Sequence, residues 1–225
     1  MMADTNPTSP STSMWHFSPS IAASAVFLVL FFVTTAVHIV QAVRYRQSYC
    51  WVIVMSGIWQ TLTYIFHTAS VRVPDSYSLY AAWFVLILMA PLWTNASVYM
   101  LFGRIVWNFT PSKRVGWLKA RHIGGFFVIL DLIAFIIQVY GAARATTKNA
   151  SQHIIYQGLH IYMGGVSAQL FFILIFVAFA GHLFRSTWRS RHQDGNEADA
   201  RRCLTLLWIQ GAVLLLITVR ISFRL

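Results

Sequence analysis

The sequence predicts an all-α polytopic membrane helix bundle of six spans, on three grounds. Of its 225 residues, 57% are hydrophobic and only 10% charged, against roughly 45–50% and about 25% in a soluble domain. The apolar residues gather into runs of the length that crosses a bilayer, about 20 residues. The polar stretches between those runs are short, which leaves no room for a second folded domain. In hydrocarbon an open strand would leave backbone groups unpaired, at several kcal/mol each, so the runs are helices.

Residues 1–20 are dominated by Ser, Thr and Pro and contain no Lys or Arg. A signal peptide begins with a basic segment, so this stretch reads as a disordered extracytoplasmic lead-in. The transmembrane bundle then occupies 21–225, with spans at about 21–43, 50–70, 79–102, 122–143, 154–184 and 204–219. Pro91 lies inside the third span and is followed by Thr94 and Asn95, which predicts a kink rather than a break. The fifth run is longer than a bilayer requires, so it tilts or begins outside. Trp15, Trp51, Trp83, Trp107, Trp117 and Trp188 fall near span ends and read as interfacial anchors.

The formal net charge is +11. In a soluble chain that would point to nucleic acid, but here the basic residues sit between apolar runs, so topology is the better reading and no nucleic-acid partner is expected. The first, third and fifth connections hold twelve Lys and Arg, while the N-terminus, the second and fourth connections and the C-terminal end hold five. The positive-inside bias therefore puts the N-terminus outside and the two large basic loops in the cytosol. Asn149-Ala150-Ser151 then lies outside and is the sequon placed for glycosylation. Asn95-Ala96-Ser97 is intramembrane, Asn108-Phe109-Thr110 is cytosolic, and Asn6-Pro7-Thr8 is excluded by its proline.

Asp131 is the only acidic residue inside any span. A charge at the bilayer centre costs about 2.5–3.5 kcal/mol on insertion scales, so this carboxyl faces the bundle or a wet cavity, or is protonated. Gly124, Asp131 and Gln138 are seven apart and form one stripe on the fourth helix. That stripe serves either a polar substrate path or an interhelical clamp packed through Gly124. Gly57, Gln60, Tyr64 and His67 share a face of the second span, as Gly158, Tyr162, Gly165 and Gln169 do in the fifth. Small residues beside polar ones are what close helix packing in lipid requires. Arg104 ends the third span and snorkels to the cytosolic interface. Arg220 and Arg224, at the outer end of the sixth, run against the charge bias. They pair within the bundle, with Asp131 as a candidate partner at a different depth, or the chain continues.

Enzyme signatures fail, and no catalytic residue is expected. Gly165-Val166-Ser167 is followed by Ala168 where an intramembrane serine protease needs Gly, and no HxxxH or HxxHH cluster offers a di-iron ligand set. Cys50 and Cys203 stand apart at span edges, so neither a disulfide framework nor a zinc site is implied. No metal or cofactor is expected, and no GxxxxGK[ST] loop for ATP is present.

Ala90-Pro91-Leu92-Trp93-Thr94-Asn95-Ala96-Ser97-Val98-Tyr99 through Ile105 resembles the third-span signature of the fungal RTA-like lipid-translocating exporter family, the 7-aminocholesterol resistance and sphingoid long-chain-base exporter type. Asp131, Phe135 and Gln138 through Gly141 resemble its "GDxxxFxxQxxG" fourth span. Gly158 to Gln169 resembles its fifth, and Arg220-Ile221-Ser222-Phe223-Arg224 its "RxxFR" end of the sixth. The likeness runs from about Gly57 to Leu225. It departs where the family's second span reads "GxxExxGYxxR", since Gln60 and His67 replace the glutamate and arginine, and at Leu130, where the family has glycine.

The resemblance implies a seven-span plan, so this sequence is expected to be a member truncated before its seventh span. It implies lipid transport or export, with membrane lipids and a small amphipathic substrate such as a sphingoid base or sterol analogue as partners, and a role in stress resistance or lipid asymmetry at the plasma membrane or an endomembrane. The alternatives are a non-transporting lipid sensor, a porphyrin-handling member and an inactive paralogue. The substrate-path candidates are Asp131, Gln138, Gln169, Gln60, Tyr64, His67, Asn95 and Tyr99. Arg104, Arg220, Arg224, Pro91, Gly124, Gly158 and Gly165 are the candidates for structural or charge roles.

Overall fold

The computed structural model of the protein describes residues 20–46, 50–147, 151–190 and 197–224. Residues 1–19 of the lead-in expected over 1–20, Trp15 among them, and the sequon residue Asn149 lie outside the described residues. Six helices follow in order: α1 (Ile21–Tyr45), α2 (Cys50–Arg72), α3 (Tyr77–Phe109), α4 (Ala120–Ala145), α5 (Gln152–Ser190) and α6 (Glu197–Ser222). Helices α1 to α5 pack serially, each on the next, while α6 lies against α5 and α3.

Local chemistry sets several of the ends. Ser20 caps α1 by accepting from the Ala23 amide at 3.3 Å, and Ser76 caps α3 by accepting from Leu79 at 3.5 Å. Arg46 closes α1 in the left-handed conformation, with φ 48°. Glu197 and Asp199 occupy the first turn of α6, where the helix dipole favours negative charge. Helix α3 runs unbroken through Pro91. The ring removes an N–H, which leaves the Ile87 carbonyl without its helical donor.

Five of these helices are both long and apolar enough to cross a membrane, and α2 falls short on apolarity. Ser56, Gln60, Thr61, Thr63 and Ser70 dilute it, and all five are buried. Its polar residues face neighbouring helices, α1 on one side and α3 on the other. The molecule is thus inside-out relative to a soluble bundle. Leu30, Phe32, Val33, Ile129, Ile136 and Leu216 are exposed to lipid, while α1 buries only Ser24, Thr35 and Ala42. Lipid is as apolar as a leucine core, so small and polar residues rather than large aliphatics mark the contacts.

One element was not anticipated from the sequence. Arg114–Val115 (β1) and Leu118–Lys119 (β2) form a two-residue antiparallel hairpin across Gly116, whose φ of +57° suits a residue without Cβ. Val115 and Leu118 bury against an aromatic core of Tyr99, Phe102, Phe127 and Phe176. Ring centroids there are 4.6 Å apart for Tyr99–Phe176 and 5.0 Å for Phe102–Phe176 and Phe127–Phe176.

Candidate functional site

A polar contact, part-buried from α1 to α3 and buried from α3 to α5, joins each consecutive pair of helices from α1 to α5. Ser24 Oγ and His67 Nδ1 are 2.7 Å apart between α1 and α2. Ser56 Oγ and Thr94 Oγ1 are 2.7 Å apart between α2 and α3. Between α3 and α4, Asn95 Nδ2 and the Tyr99 hydroxyl both donate to Oδ2 of Asp131, at 2.8 and 2.9 Å. Between α4 and α5, Gln138 Nε2 donates to Gln169 Oε1 at 3.0 Å. Thr94 and Asn95 are adjacent in the chain, so Ser56, Thr94, Asn95, Tyr99 and Asp131 form one polar track across three helices.

Asp131 ends that track on α4, with 1% of its surface exposed. Two donors converge on Oδ2, while Oδ1 is buried and has no hydrogen-bond partner among the described residues. A buried carboxyl oxygen without a donor is costly. It is a buried acceptor in the track that can take a proton or accept from water or a substrate group.

The stripe expected on α4 divides between two neighbours. Gly124 meets α3, where a Cβ would come within 3.3 Å of Met100 Cγ, and Asp131 meets α3 through Asn95 and Tyr99. Gln138 meets α5, since a Cβ on Gly165 would lie 2.8 Å from Gln138 Cγ. On the α5 face, a Cβ on Gly158 would stand 2.5 Å from the Ala145 amide nitrogen, and one on Gly141 would strike the backbone of Tyr162. These glycines bring α4 and α5 close enough for the two amides to bond across.

The second-span residues point mainly to α1. Tyr64 stacks on Phe27 and Phe31, with centroids 5.4 and 5.5 Å away, and Gly57 is pressed against Thr35. His67 also meets Trp83 edge-on at 5.2 Å, which makes Trp83 a packing residue as well as an anchor. Gln60 is buried one turn from Ser56.

The suggested Arg220–Asp131 pair is not made, because the donors to Asp131 come from α3. Arg220 is half-buried in the last turn of α6. Arg104 is exposed beside Trp107 and Arg121 at the rim of the α3–α4 groove. Sequence reasoning missed Ser24, Ser56 and Gln210 as bridging residues. Gln210 on α6 donates to the Val98 carbonyl of α3 at 3.0 Å. An amide in the middle of an apolar span was the available signal.

Residues 53–225 match the family described as RTA1 like protein. The chain belongs to the RTA1-like family. The match takes in α2 almost from its start and the whole of α3, α4 and α5, the helices that carry the polar track and the α4–α5 amide pair. This RTA1-like chain is 40% identical over 214 residues to the "Probable lipid transporter atnI" of Emericella nidulans, covering 93% of this chain and 56% of that protein. It is 24% identical over 199 residues to "Protoporphyrin uptake protein 1" of Saccharomyces cerevisiae, covering 73% of this chain and 64% of that one. It is 27% identical over 120 residues to "Protein RTM1" of Saccharomyces cerevisiae, covering 53% of this chain and 37% of that one. The chain thus spans less than two-thirds of the length of each relative. No solved structure gives a significant match.

Proposed function

We propose that this integral membrane protein moves amphipathic lipids or lipid-like molecules between leaflets or out of the cell. The observation that supports this most is the 40% identity, over 93% of the chain, to a protein named as a probable lipid transporter. The transmembrane unit is residues 21–225, with the N-terminus outside, and the plasma membrane is its site of action. Protection against sphingoid bases or sterol analogues, and maintenance of lipid asymmetry, are the corresponding cellular roles.

The geometry supports a headgroup path centred on Asp131. Its unpartnered Oδ1 would receive an ammonium or hydroxyl group, while Asn95 and Tyr99 hold Oδ2 in place. Gln138 and Gln169 offer the next polar station, closed on one another in this state. Opening the path requires α3 or α5 to swing from α4, exchanging the internal hydrogen bonds for bonds to the headgroup. The hydrocarbon tail would stay in lipid throughout.

The 24% identity to a protoporphyrin uptake protein favours one second reading, an amphipathic macrocycle as cargo. Proteoliposomes containing the full chain, offered a fluorescent sphingoid base or protoporphyrin in separate runs, test both. Faster transfer of the sphingoid base than in empty vesicles, lost in Asp131→Asn, supports the first reading. Transfer of the porphyrin alone supports the second. Binding of either molecule without transfer would make the protein a sensor and overturn the transport reading.

A further inference from the structure

Among the described residues, the hydrogen-bonded stitching thins at the α5–α6 crevice to a long Thr187 Oγ1–Cys203 Sγ contact of 3.9 Å. The buried amide of α6, Gln210, reaches past α5 to Val98 on α3, and α5 packs far more extensively on α4 than on α6. Between α5 and α6 runs an apolar groove of about 430 Å³, from Leu174 and Thr218 at one end to Phe184 and Trp208 at the other. Gly181 on α5 and Gly211 on α6 both line it, and a Cβ at either position would meet nothing within 4 Å. These glycines do not bring backbones together as Gly158 and Gly165 do. They widen the groove.

Its length and its mouth point to a specific occupant. The groove follows α6 from Leu207 to Thr218, about 16 Å at the helical rise, which matches the hydrocarbon of one leaflet, about 15 Å. At the Phe184–Trp208 end it meets a second hollow of about 380 Å³, lined by Phe184, Arg185, Trp188, Arg189 and Trp208. That mouth holds two guanidinium groups and three aromatic side chains and, among the described residues, no carboxylate. The nearby acids of α6, Glu197 and Asp199, face Arg201 and Arg202 at 3.4 and 3.8 Å.

We propose that the α5–α6 groove binds an anionic phospholipid of the leaflet bordered by the basic loops. An acyl chain lies along Gly181 and Gly211, and Arg185 and Arg189 hold the headgroup at the level of Trp188 and Trp208. Guanidinium presents a planar fork of donors that matches phosphate oxygens, and indole rings settle at headgroup depth. A zwitterionic lipid has no net charge and gains less from a mouth with two cations than a lipid whose headgroup is net negative. A hydrophobic helix of another protein would leave both guanidiniums against apolar surface. The inference stands apart from the transport reading, because it concerns occupancy rather than movement.

The test uses the full chain purified in detergent and offered phosphatidylserine and phosphatidylcholine at equal concentration, with retained lipid counted by native mass spectrometry. Wild type should retain phosphatidylserine preferentially, and Arg185→Gln with Arg189→Gln should cut that preference roughly tenfold. Arg44→Gln, at the end of α1, should leave it unchanged. In vesicles, phosphatidylserine carrying a diazirine in its acyl chain should crosslink within 174–184 and 207–218, and Gly181→Leu with Gly211→Leu should abolish those crosslinks. Equal retention of the two lipids by wild type would overturn the proposal, as would a preference indifferent to the two arginines or crosslinks that survive the leucines. Should the leucine pair fail to fold, the arginine pair on the exposed helix surface decides.

Discussion

Tyr99 and Asp131 meet at 2.9 Å across the α3–α4 interface, the phenol donating to the carboxyl oxygen Oδ2 that already accepts from Asn95. The ring of Tyr99 is itself wedged against Phe127 and Phe176, at 5.4 and 4.6 Å between centroids. The aromatic core at the basic end of the bundle therefore aims the hydroxyl, and the hydroxyl fixes the carboxyl. Packing and polar track are coupled through one side chain.

Three substitutions separate the clamp from the path. Tyr99→Phe removes one donor while keeping the ring, and should cost about 0.6 kcal/mol of bundle stability and at most about 1.7, the average and the upper limit for interhelical hydrogen bonds in membranes. Asp131→Asn keeps an acceptor of similar shape and should spare folding while stopping any transport that needs a titratable proton. Asp131→Leu should impair both, because it strands Asn95 and Tyr99. Unfolding in mixed micelles reads stability and the vesicle assay reads transfer. A wild-type Asp131→Leu in both would show that the residue is neither clamp nor path.

The helix starts expected at 21, 50, 79, 122 and 154 fall within two residues of those observed at Ile21, Cys50, Tyr77, Ala120 and Gln152, because the onset of an apolar run coincides there with the onset of helix. The ends were less legible. Helices α3 and α5 run on to Phe109 and Ser190, and α6 begins at Glu197 rather than at 204. Helical hydrogen bonds outlast the apolar pattern once the chain leaves hydrocarbon. Asp131 stood out as a lone carboxyl, but its partners did not, since they depend on how α3 and α4 are rotated about their axes. The hairpin at 114–119 was invisible because two-residue strands show no alternation.

Gln138 and Gln169 form a closed pair, both buried, and should behave as a unit. Gln138→Leu or Gln169→Leu alone leaves one buried amide without its partner. The double substitution removes both polar groups and should recover part of the loss. A double-mutant cycle should give a coupling of about 0.6–1.7 kcal/mol. Strict additivity would mean that the two amides do not bond in the membrane.

The orientation rests on the distribution of Lys and Arg, and one modification reads it. Asn149→Gln should abolish an endoglycosidase-sensitive mobility shift, while the Asn95 sequon, buried at 2% exposure against Asp131, should contribute nothing. A shift that survives Asn149→Gln, or labelling of the 146–151 connection from the cytosol only, would invert the topology. It would also move the basic mouth of the α5–α6 groove to the opposite leaflet.

Glycine positions supply the sharpest comparison, because the same substitution has opposite expectations a few residues apart. Gly165→Ala places a methyl 2.8 Å from Gln138 Cγ, 2.9 Å from its amide nitrogen and 3.0 Å from the Ala134 carbonyl. Two of those atoms are backbone, so α4 and α5 must separate, and overpacking of this kind costs about 1–3 kcal/mol. The separation also lengthens the Gln138–Gln169 bond, so the cost should exceed that of the methyl group alone. Gly164→Ala, on the adjacent residue, meets nothing within 4 Å and should stay within about 0.5 kcal/mol of wild type, as exposed substitutions do. Gly125→Ala beside Gly124→Ala makes a milder contrast on α4, where Gly124 approaches Met100 of α3 at 3.3 Å and Gly125 meets nothing within 4 Å. Thermal unfolding of the four variants in one detergent measures all of them on one scale. Equal midpoints for Gly164→Ala and Gly165→Ala would mean that α4 and α5 are not held at the separation on which the amide pair depends.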